Sequence, residues 1–224
     1  MSGRQVLVID VGGNNIKLRC TGIDERRKTP SGRALTPEAM VEKVRELVAD
    51  WHFDAITIGC PGPVRNDRIT LEPVNLAAGW VGFDFQAAFG KPTRLINDAA
   101  MQALGSYEGG KMLFLGLGTG LGAALVVDDL VLPLEVAHLP YKKGTTFEDH
   151  VGNRGLVRLG PKRWEKAVHD VTARLEAALV ADHVVLGGGN AKKLKKLPPG
   201  SRLGDNENAF KGGFRLWEGA HLPA

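Results

Sequence analysis

A strand–glycine–strand pattern that occurs twice constrains the fold of this 224-residue chain more than any other feature. Near the start, an apolar run over 5–10 is followed by a pair of glycines and then by a run over 16–20 in which apolar and polar residues alternate. In the second half, an apolar run over 112–115 enters a glycine-rich stretch at 116–122 and is followed by another apolar run. Each pattern predicts a β-hairpin with a glycine turn at its tip. The repetition suggests an internal duplication.

Helix and strand signals alternate between and after the hairpins. Thr36 is a good N-cap and Pro37 suits the first position of a helix whose apolar face continues to residue 51. Buried-strand patterns follow at 54–59, 93–96 and 183–186, and a long amphipathic helix precedes the last of them. The sequence therefore predicts an α/β protein.

Composition excludes several classes of protein. With 43% hydrophobic and 24% charged residues, the chain has the balance of an ordinary globular protein, and its longest apolar runs are too short to cross a bilayer. The two cysteines, Cys20 and Cys60, lie far apart and match no metal-ligand spacing, and no secretory signal is evident. We therefore expect a reduced, cytoplasmic protein without a membrane partner.

The formal net charge of +4 fits an anionic ligand but is spread too evenly to demand nucleic acid. The dense basic run, Lys192–Lys196, is by default a solvated helix face. A polyanion site there is the minority alternative.

The second glycine stretch formally matches a dinucleotide fingerprint, because Gly118, Thr119 and Gly120 begin a G-x-G-x-x-A motif. That fingerprint needs a helix next, whereas a strand pattern follows here, so the dinucleotide hypothesis is rejected. A glycine hairpin can still bind phosphate through clustered backbone N–H groups. A plain tight turn is the alternative.

The first glycine stretch joins an acid to a similar loop, since Asp10 precedes Gly12, Gly13 and Asn14, with Lys17 shortly after. Mg²⁺ prefers a carboxylate together with phosphates and waters, so Asp10 is a candidate Mg²⁺ ligand. Alternatively, Asp10 is only a turn residue.

Asn97 and Asp98 end a predicted strand. Phosphoryl transfer to a hydroxyl needs a carboxylate that accepts the proton, and Asp98 is the best candidate. Asp98 can also cap the following helix, and the two roles are compatible. Asn75, Glu135 and His138 could bind a polyol, although each by itself is more often an ordinary surface residue.

Taken together, these residues resemble the ROK family, which contains bacterial glucokinases, N-acyl-hexosamine kinases and sugar-responsive repressors. Six motifs match in order along most of the chain. The two phosphate motifs are resembled by residues 10–17 and 118–122, and the G-x-P-G-x-V motif by residues 59–64. The catalytic N-D-A motif is resembled by residues 97–100, the sugar-binding E-x-G-H motif by residues 135–138 and the adenosine-side glycines by residues 187–189.

The resemblance implies an actin-like ATPase (ribonuclease H-like) fold with two lobes, 1–110 and 111–224, and the active site in the cleft between them. It implies Asp98 as the base, Asn75, Asn97, Glu135 and His138 as sugar ligands, and Gly187 and Gly188 on the nucleotide side. It also implies Mg²⁺, ATP or polyphosphate as phosphoryl donor, a hexose as acceptor and a homodimer.

The sequence departs from the family pattern at four places, one of which is a C-terminal part that is short and rich in glycine where an apolar helix is expected. No cysteine follows Cys60, so the zinc site that many members carry after the histidine cannot form by that route, and the layout is closest to the zinc-free glucokinase branch that includes polyphosphate-using members. Asn14 replaces a hydroxyl residue in the first phosphate motif, and Ala137 replaces the glycine before His138.

Two hypotheses follow from the family resemblance. The first is a hexose kinase that phosphorylates the 6-hydroxyl of glucose. The second is a non-catalytic sugar sensor or regulator. Because the first strand begins within a few residues of Met1, we expect no DNA binding through an N-terminal helix-turn-helix.

Overall fold

The computed structural model describes residues 3–205 and 207–223, and its first half forms a five-stranded sheet. The strands of this half are β1 Val6–Val11, β2 Asn15–Cys20, β3 Arg27–Pro30, β4 Ala55–Cys60, β5 Val64–Arg65, β6 Arg68–Ile69 and β7 Thr93–Asn97. The sheet order is β3-β2-β1-β4-β7, in which β1, β2 and β3 are antiparallel neighbours and β1, β4 and β7 run parallel. β5 and β6 pair separately as a short ribbon.

The second half forms a sheet with the same connectivity. Its strands are β8 Met112–Leu117, β9 Leu121–Val127, β10 Leu130–Leu134, β11 His183–Gly187 and β12 Ser201–Leu203. Their order is β10-β9-β8-β11-β12, again with an antiparallel meander followed by two parallel strands. The duplication inferred from the two hairpins is therefore present in the topology, and β9 is the strand that excludes a dinucleotide fingerprint.

Seven α-helices of the described residues join and cover these strands. They are α1 Pro37–Leu47, α2 Phe85–Phe89, α3 Asp98–Ser106, α4 Phe147–Val151, α5 Asn153–Leu159, α6 Pro161–Leu179 and α7 Asn208–Arg215, with a 3-10 turn at Ala191–Lys193. α1 begins as predicted, because the Thr36 Oγ1 atom accepts the Ala39 N–H at 3.2 Å and Pro37 occupies the first position.

The apolar residues divide among three cores, because successive side chains of a strand point to opposite faces of its sheet. In β1, Leu7 faces a core with α1, whereas Val8 faces a central core with α3 and α7. In β8, Phe114 faces the same central core and Leu113 faces a third core with α6. The central core thus joins the two sheets through α3 and α7.

α3 and α7 touch through glycines. A Cβ atom added at Gly105 would stand 1.8 Å from the Asn208 carbonyl oxygen, and one added at Gly212 would stand 1.9 Å from the Met101 carbonyl oxygen. The Arg215 guanidinium donates to the carbonyl oxygens of Leu104 and Tyr107 at 2.7 and 2.8 Å, which caps the end of α3.

The sequence indicated little about residues after Pro198, which form β12 and α7. The lobe boundary between residues 110 and 111 stays a prediction. The second sheet begins after it, but α7, which comes later in the chain, packs against α3 and β1 of the first half. No helix within residues 3–205 or 207–223 is both long and apolar enough to span a membrane.

Candidate active site

Asp98 begins α3 where β7 ends, between two glycines that permit the close approach of this helix. A Cβ atom at Gly59 would stand 2.2 Å from the Met101 Cε and 3.8 Å from the Asp98 Cα. A Cβ atom at Gly122 would stand 2.6 Å from the Ala99 Cβ. The first turn of α3 therefore sits between the end of β4 and the second glycine loop.

The interpretation of Asp98 as the N-cap of α3 is wrong, because Asn97 has that role. Asn97 has extended backbone angles (φ −61°, ψ 140°), and its Oδ1 atom accepts the N–H groups of Ala99 and Ala100 at 3.0 and 3.1 Å. The Asn97 Nδ2 group donates to the Gly62 carbonyl oxygen at 3.0 Å. The Asp98 Oδ1 atom also accepts the Ala99 N–H, at 2.8 Å, which leaves Oδ2 for other chemistry.

The pKa of the Asp98 carboxyl is shifted towards neutral pH. Burial raises its pKa to about 7, and the negative charges of Asp10 and, more weakly, Glu135 act in the same direction. These shifts also place the three carboxylates within electrostatic reach of one another. A carboxylate of this kind is a better proton acceptor at pH 7 than an ordinary aspartate.

Asp10 lies at the end of β1, beside the first glycine loop, and is 7% exposed. It stands opposite Lys17 in the antiparallel register, and the Lys17 Nζ atom is 3.0 Å from the Asp10 Oδ2 atom. This ion pair keeps Lys17 at the loop. Asp10 Oδ1 has no hydrogen-bond partner among the described residues.

The first glycine loop is braced from outside by Ser31, which the sequence analysis missed. The Ser31 hydroxyl donates to the Gly12 carbonyl oxygen at 2.6 Å, and the Ser31 N–H donates to the Asn14 carbonyl oxygen at 3.1 Å. A Cβ atom at Gly13 would stand 3.4 Å from the Asn75 Cβ, so the loop also contacts this expected sugar ligand.

The second glycine loop rests on the segment after β11. The Asn190 Nδ2 group, which is buried and was missed by the sequence analysis, donates to the Gly118 carbonyl oxygen at 2.9 Å. Gly188 has φ +79°, and a Cβ atom there would stand 2.5 Å from the Leu117 carbonyl oxygen. A Cβ atom at Gly118 would meet nothing within 4 Å, so this glycine faces open space. Thr119, the next residue of the loop, is exposed.

Glu148, in α4, is a third residue that the sequence analysis missed. Its Oε2 atom accepts the Leu121 N–H at 3.1 Å and would stand 2.1 Å from a Cβ atom at Gly120. The Glu148 carboxylate therefore satisfies the backbone donor at the base of this loop, so the phosphate contacts proposed for the loop must come from its other N–H groups. No motif marks Glu148 in the sequence.

The remaining expected sugar ligands lie on the segment that follows β10. Glu135 is exposed and acts electrostatically on Asp98, which places it on the same side of the site. His138 is exposed too, but no hydrogen bond or ion pair joins its side chain to another described residue. Between them, Ala137 is 5% exposed and packs in the core with α6.

No three His, Cys, Asp or Glu side chains of the described residues are grouped so that they alone could hold a metal ion. Mg²⁺ in phosphoryl transfer does not need such a group, because it binds one or two carboxylates together with phosphates and waters. The buried Asp10 carboxylate beside a glycine loop fits that mode.

Comparison with known proteins gives a family match and full-length structural neighbours. The family described as "ROK family" matches residues 6–132. The polyphosphate glucokinase of Mycobacterium leprae (strain TN) is 25% identical over 213 residues, which cover 85% of this chain and 65% of that protein. That of Mycobacterium tuberculosis (strain CDC 1551 / Oshkosh) is 26% identical over 214 residues, covering 85% of this chain and 80% of that protein.

A second kind of relative has a different acceptor. The N-acetylmannosamine kinase of Escherichia fergusonii is 31% identical over 136 residues, which cover 54% of this chain and 46% of that protein.

Two solved structures have the same fold along nearly the whole chain. The inorganic polyphosphate/ATP-glucomannokinase of Arthrobacter sp. strain KM superposes with a TM-score of 0.82 at 22% identity, covering 96% of this chain and 99% of that one. A ROK family glucokinase of Streptomyces griseus, in complex with glucose and AMPPNP, gives 0.75 at 16% identity, covering 95% and 98%. The predicted actin-like α/β fold class is thereby confirmed.

Proposed function

Because this chain belongs to the ROK family, as its motifs predicted, we propose that it is a kinase that transfers a phosphoryl group from polyphosphate or ATP to glucose. The ROK-family relatives named above are sugar kinases, which supports a phosphotransferase whose acceptor is a sugar hydroxyl. Glucose as the sugar and its 6-hydroxyl as the acceptor are the finer parts of the proposal. The observation that carries it is the place of Asp98, a carboxylate with a pKa of about 7 between β4 and the second glycine loop.

Asp98 acts as the general base of the transfer. Its carboxylate accepts the proton of the sugar hydroxyl, while the hydroxyl oxygen forms a bond to the terminal phosphorus of the donor. The bond from that phosphorus to the bridging oxygen breaks, and the oxygen leaves with ADP or with the shortened polyphosphate. The proton then passes from Asp98 to solvent.

The two glycine loops hold the phosphates of the donor. The open face of Gly118 supports this role, because a phosphate can approach a backbone that carries no side chain. Lys17 supplies a positive charge at the first loop. Asp10 would hold Mg²⁺, which when bound neutralises phosphate charge as the transfer proceeds.

Polyphosphate is the favoured donor because of a basic track beside the second loop. Asn190 donates to the Gly118 carbonyl oxygen, and the chain then presents four exposed lysines, Lys192, Lys193, Lys195 and Lys196. A polyphosphate chain that is bound at the second glycine loop and extends along residues 190–196 would be attracted by these four positive charges. Replacing the four lysines by Gln should raise the KM for polyphosphate at least several-fold and leave the KM for ATP near its wild-type value.

Lys28 of β3 and Lys43 of α1 provide the control for that experiment. Their replacement by Gln removes positive charge from the first half of the chain, away from the four lysines, and the effects are compared per lysine replaced. Equal effects of the two sets on the polyphosphate KM would argue for general charge attraction and against a donor track.

Replacing Asp98 by Asn tests the base directly. Asn keeps the shape and the hydrogen bond to Ala99 but accepts no proton, so turnover should fall by about 10³-fold or more while glucose binding, measured by calorimetry, persists. Asp84 provides the control, because its Oδ1 atom caps α2 at 2.9 Å from the Ala87 nitrogen. Asp84→Asn should keep turnover close to that of the wild type.

A panel of sugars that includes glucose, mannose and N-acetylmannosamine, each assayed with ATP and with polyphosphate, tests the substrate. Product with glucose supports the proposal. A chain that binds sugar but forms no product with any pair is instead the non-catalytic sensor. The homodimer that the resemblance implies and the cytoplasmic location expected from the cysteines stay predictions.

A further inference from the structure

The segment from Ala137 to Glu148, which we call the 137–148 hairpin, carries His138 and folds back on itself. Three backbone hydrogen bonds close it: the Glu148 N–H to the Ala137 oxygen at 3.0 Å, the Phe147 N–H to the Leu139 oxygen at 3.2 Å and the Tyr141 N–H to the Thr145 oxygen at 2.8 Å. This register fixes where the His138 side chain leaves the backbone.

The two sides of the hairpin are anchored differently. On the returning side, Phe147 is 7% exposed and packs in the core with α6. On the outgoing side, beyond the buried Ala137, His138, Leu139 and Pro140 are all exposed. The side that carries His138 therefore depends on the tip of the hairpin for its position.

Asp170 of α6 holds that tip. The Tyr141 hydroxyl donates to the Asp170 Oδ2 atom at 2.5 Å, and the Lys142 Nζ and Arg174 Nε atoms each lie 3.2 Å from the same oxygen. The Tyr141 hydrogen bond is the first cause that holds the pKa of the Asp170 carboxyl below its usual value, so the acceptor is ionised at neutral pH. Hydrogen bonds to an ionised acceptor are shorter and stronger than neutral ones.

The Tyr141 ring is also fixed by packing. Its centroid lies 4.7 Å from that of the His150 ring, edge to face, and 5.5 Å from that of Phe147. The Lys142 Nζ atom lies 4.5 Å from the same centroid, and the Thr145 Oγ1 atom is 2.9 Å from the His150 Nε2 atom. These contacts hold the hydroxyl over α6.

We propose that Tyr141 is a positioning residue: through Asp170 it fastens the 137–148 hairpin to α6 and thereby holds His138 in place for the sugar. This inference rests on the proposed function, because it takes His138 as a sugar ligand. Without the bond to α6, the outgoing side can move relative to Asp98, and the sugar is held less well. The donor side is little affected, because Glu148, which binds the second glycine loop, follows Phe147 on the returning side, and that side is held in the core independently of Tyr141.

Tyr141→Phe is the test, because it removes one oxygen and keeps the ring contacts. We expect the KM and the calorimetric Kd for glucose to rise roughly tenfold, with kcat and the KM for the donor within about twofold of the wild type. Asp170→Ala should have a similar or larger effect, because it also removes the ion pairs of Asp170 with Lys142 and Arg174. The double variant should be no worse than Asp170→Ala alone, since both changes remove the same Tyr141 hydrogen bond. Amide exchange at Tyr141 and Phe147 should become faster.

The control is Tyr107→Phe, because the chain has only two tyrosines and the Tyr107 hydroxyl accepts the Asp128 N–H at 2.9 Å, away from the hairpin. That variant should lose stability without any change in glucose affinity. The inference would be overturned if Tyr141→Phe bound glucose as tightly as the wild type, or if both tyrosine variants changed glucose affinity equally. The proposed function would survive either result as long as the wild type is active. A wild type that neither binds nor phosphorylates a sugar would instead refute the proposed function, and this inference with it.

Discussion

The methyl group of Ala99 lies where a side chain at Gly122 would begin, since a Cβ atom added at Gly122 would stand only 2.6 Å from the Ala99 Cβ. Neither atom can turn away, because each Cβ is fixed by its backbone. The second glycine loop and the first turn of α3 therefore hold each other in place, and Asp98 is the residue next to this contact.

Gly122→Ala should separate the base from the donor. We expect a shift of about 1 Å between α3 and the loop and a fall in kcat on the order of 10²-fold, since misplacement of that size has such an effect on positioned groups. Steady-state kinetics measure it. Gly118→Ala is the contrast: its Cβ meets open space, so it should raise the KM for the donor and leave the fold intact. A wild-type kcat in Gly122→Ala would contradict the prediction.

The pH dependence of turnover should report Asp98. The base must be ionised, and burial raises its pKa to about 7, so log(kcat/KM) should rise with unit slope below about pH 7 and level off above it. A profile that is flat between about pH 5 and about pH 8 would argue against Asp98 as the base.

The same raised pKa predicts a pH dependence of stability. The folded chain holds the Asp98 proton more tightly than the unfolded chain, so the free energy of unfolding should fall as the pH rises from about 4 to about 7. Asp98→Asn removes this loss. The variant should therefore gain more in Tm over the wild type at pH 8 than at pH 4, as calorimetry can determine. Equal gains at both pH values would indicate another origin.

Asp10→Asn should lower the pKa of Asp98, because it removes the larger of the two negative charges that raise it. A carbon-13 NMR titration of the Asp98 carboxyl measures this without any need for turnover. Glu135→Gln is the matched comparison, with a smaller shift in the same direction. A larger shift in Glu135→Gln than in Asp10→Asn would reverse the assignment.

Gly105→Ala should destabilise the fold through the contact between α3 and α7. Its Cβ would stand 1.8 Å from the Asn208 carbonyl oxygen, and overpacking of a tight contact costs about 1–3 kcal/mol or more. Denaturant unfolding gives the value. Gly3→Ala, where a Cβ meets nothing within 4 Å, should stay close to the wild type.

Local signals in the sequence were sufficient for elements that local contacts determine. Thr36 and Pro37 marked the start of α1, and the glycines after Asp10 marked a hairpin, because each of these features is set by a few neighbouring residues. Choosing the cap of α3 was harder. Asn97 and Asp98 are both good N-cap residues, and only the extended backbone of Asn97 decides between them.

The features that were missed depend on contacts distant in sequence. Glu148 matters through a hydrogen bond to Leu121, which lies 27 residues away. The sequence indicated little about the glycine-rich residues from Pro198 onwards, yet α7 forms there because Asn208 contacts Ser106 and Gly105, more than a hundred positions away. Neither periodicity nor turn chemistry carries that information.

The packing of α7 on α3 also determines when the parts of the fold can form during translation. On the ribosome, β1 and α3 emerge long before residues 208–215, so the face of the first sheet that includes Val8 lacks the cover of α7 until those residues have been translated. Arg215, which caps the far end of the helix that Asp98 begins, arrives among the last residues described. A nascent chain can therefore form the first hairpin early, but α3, which carries Asp98, reaches its final support only after residues 208–215 have emerged.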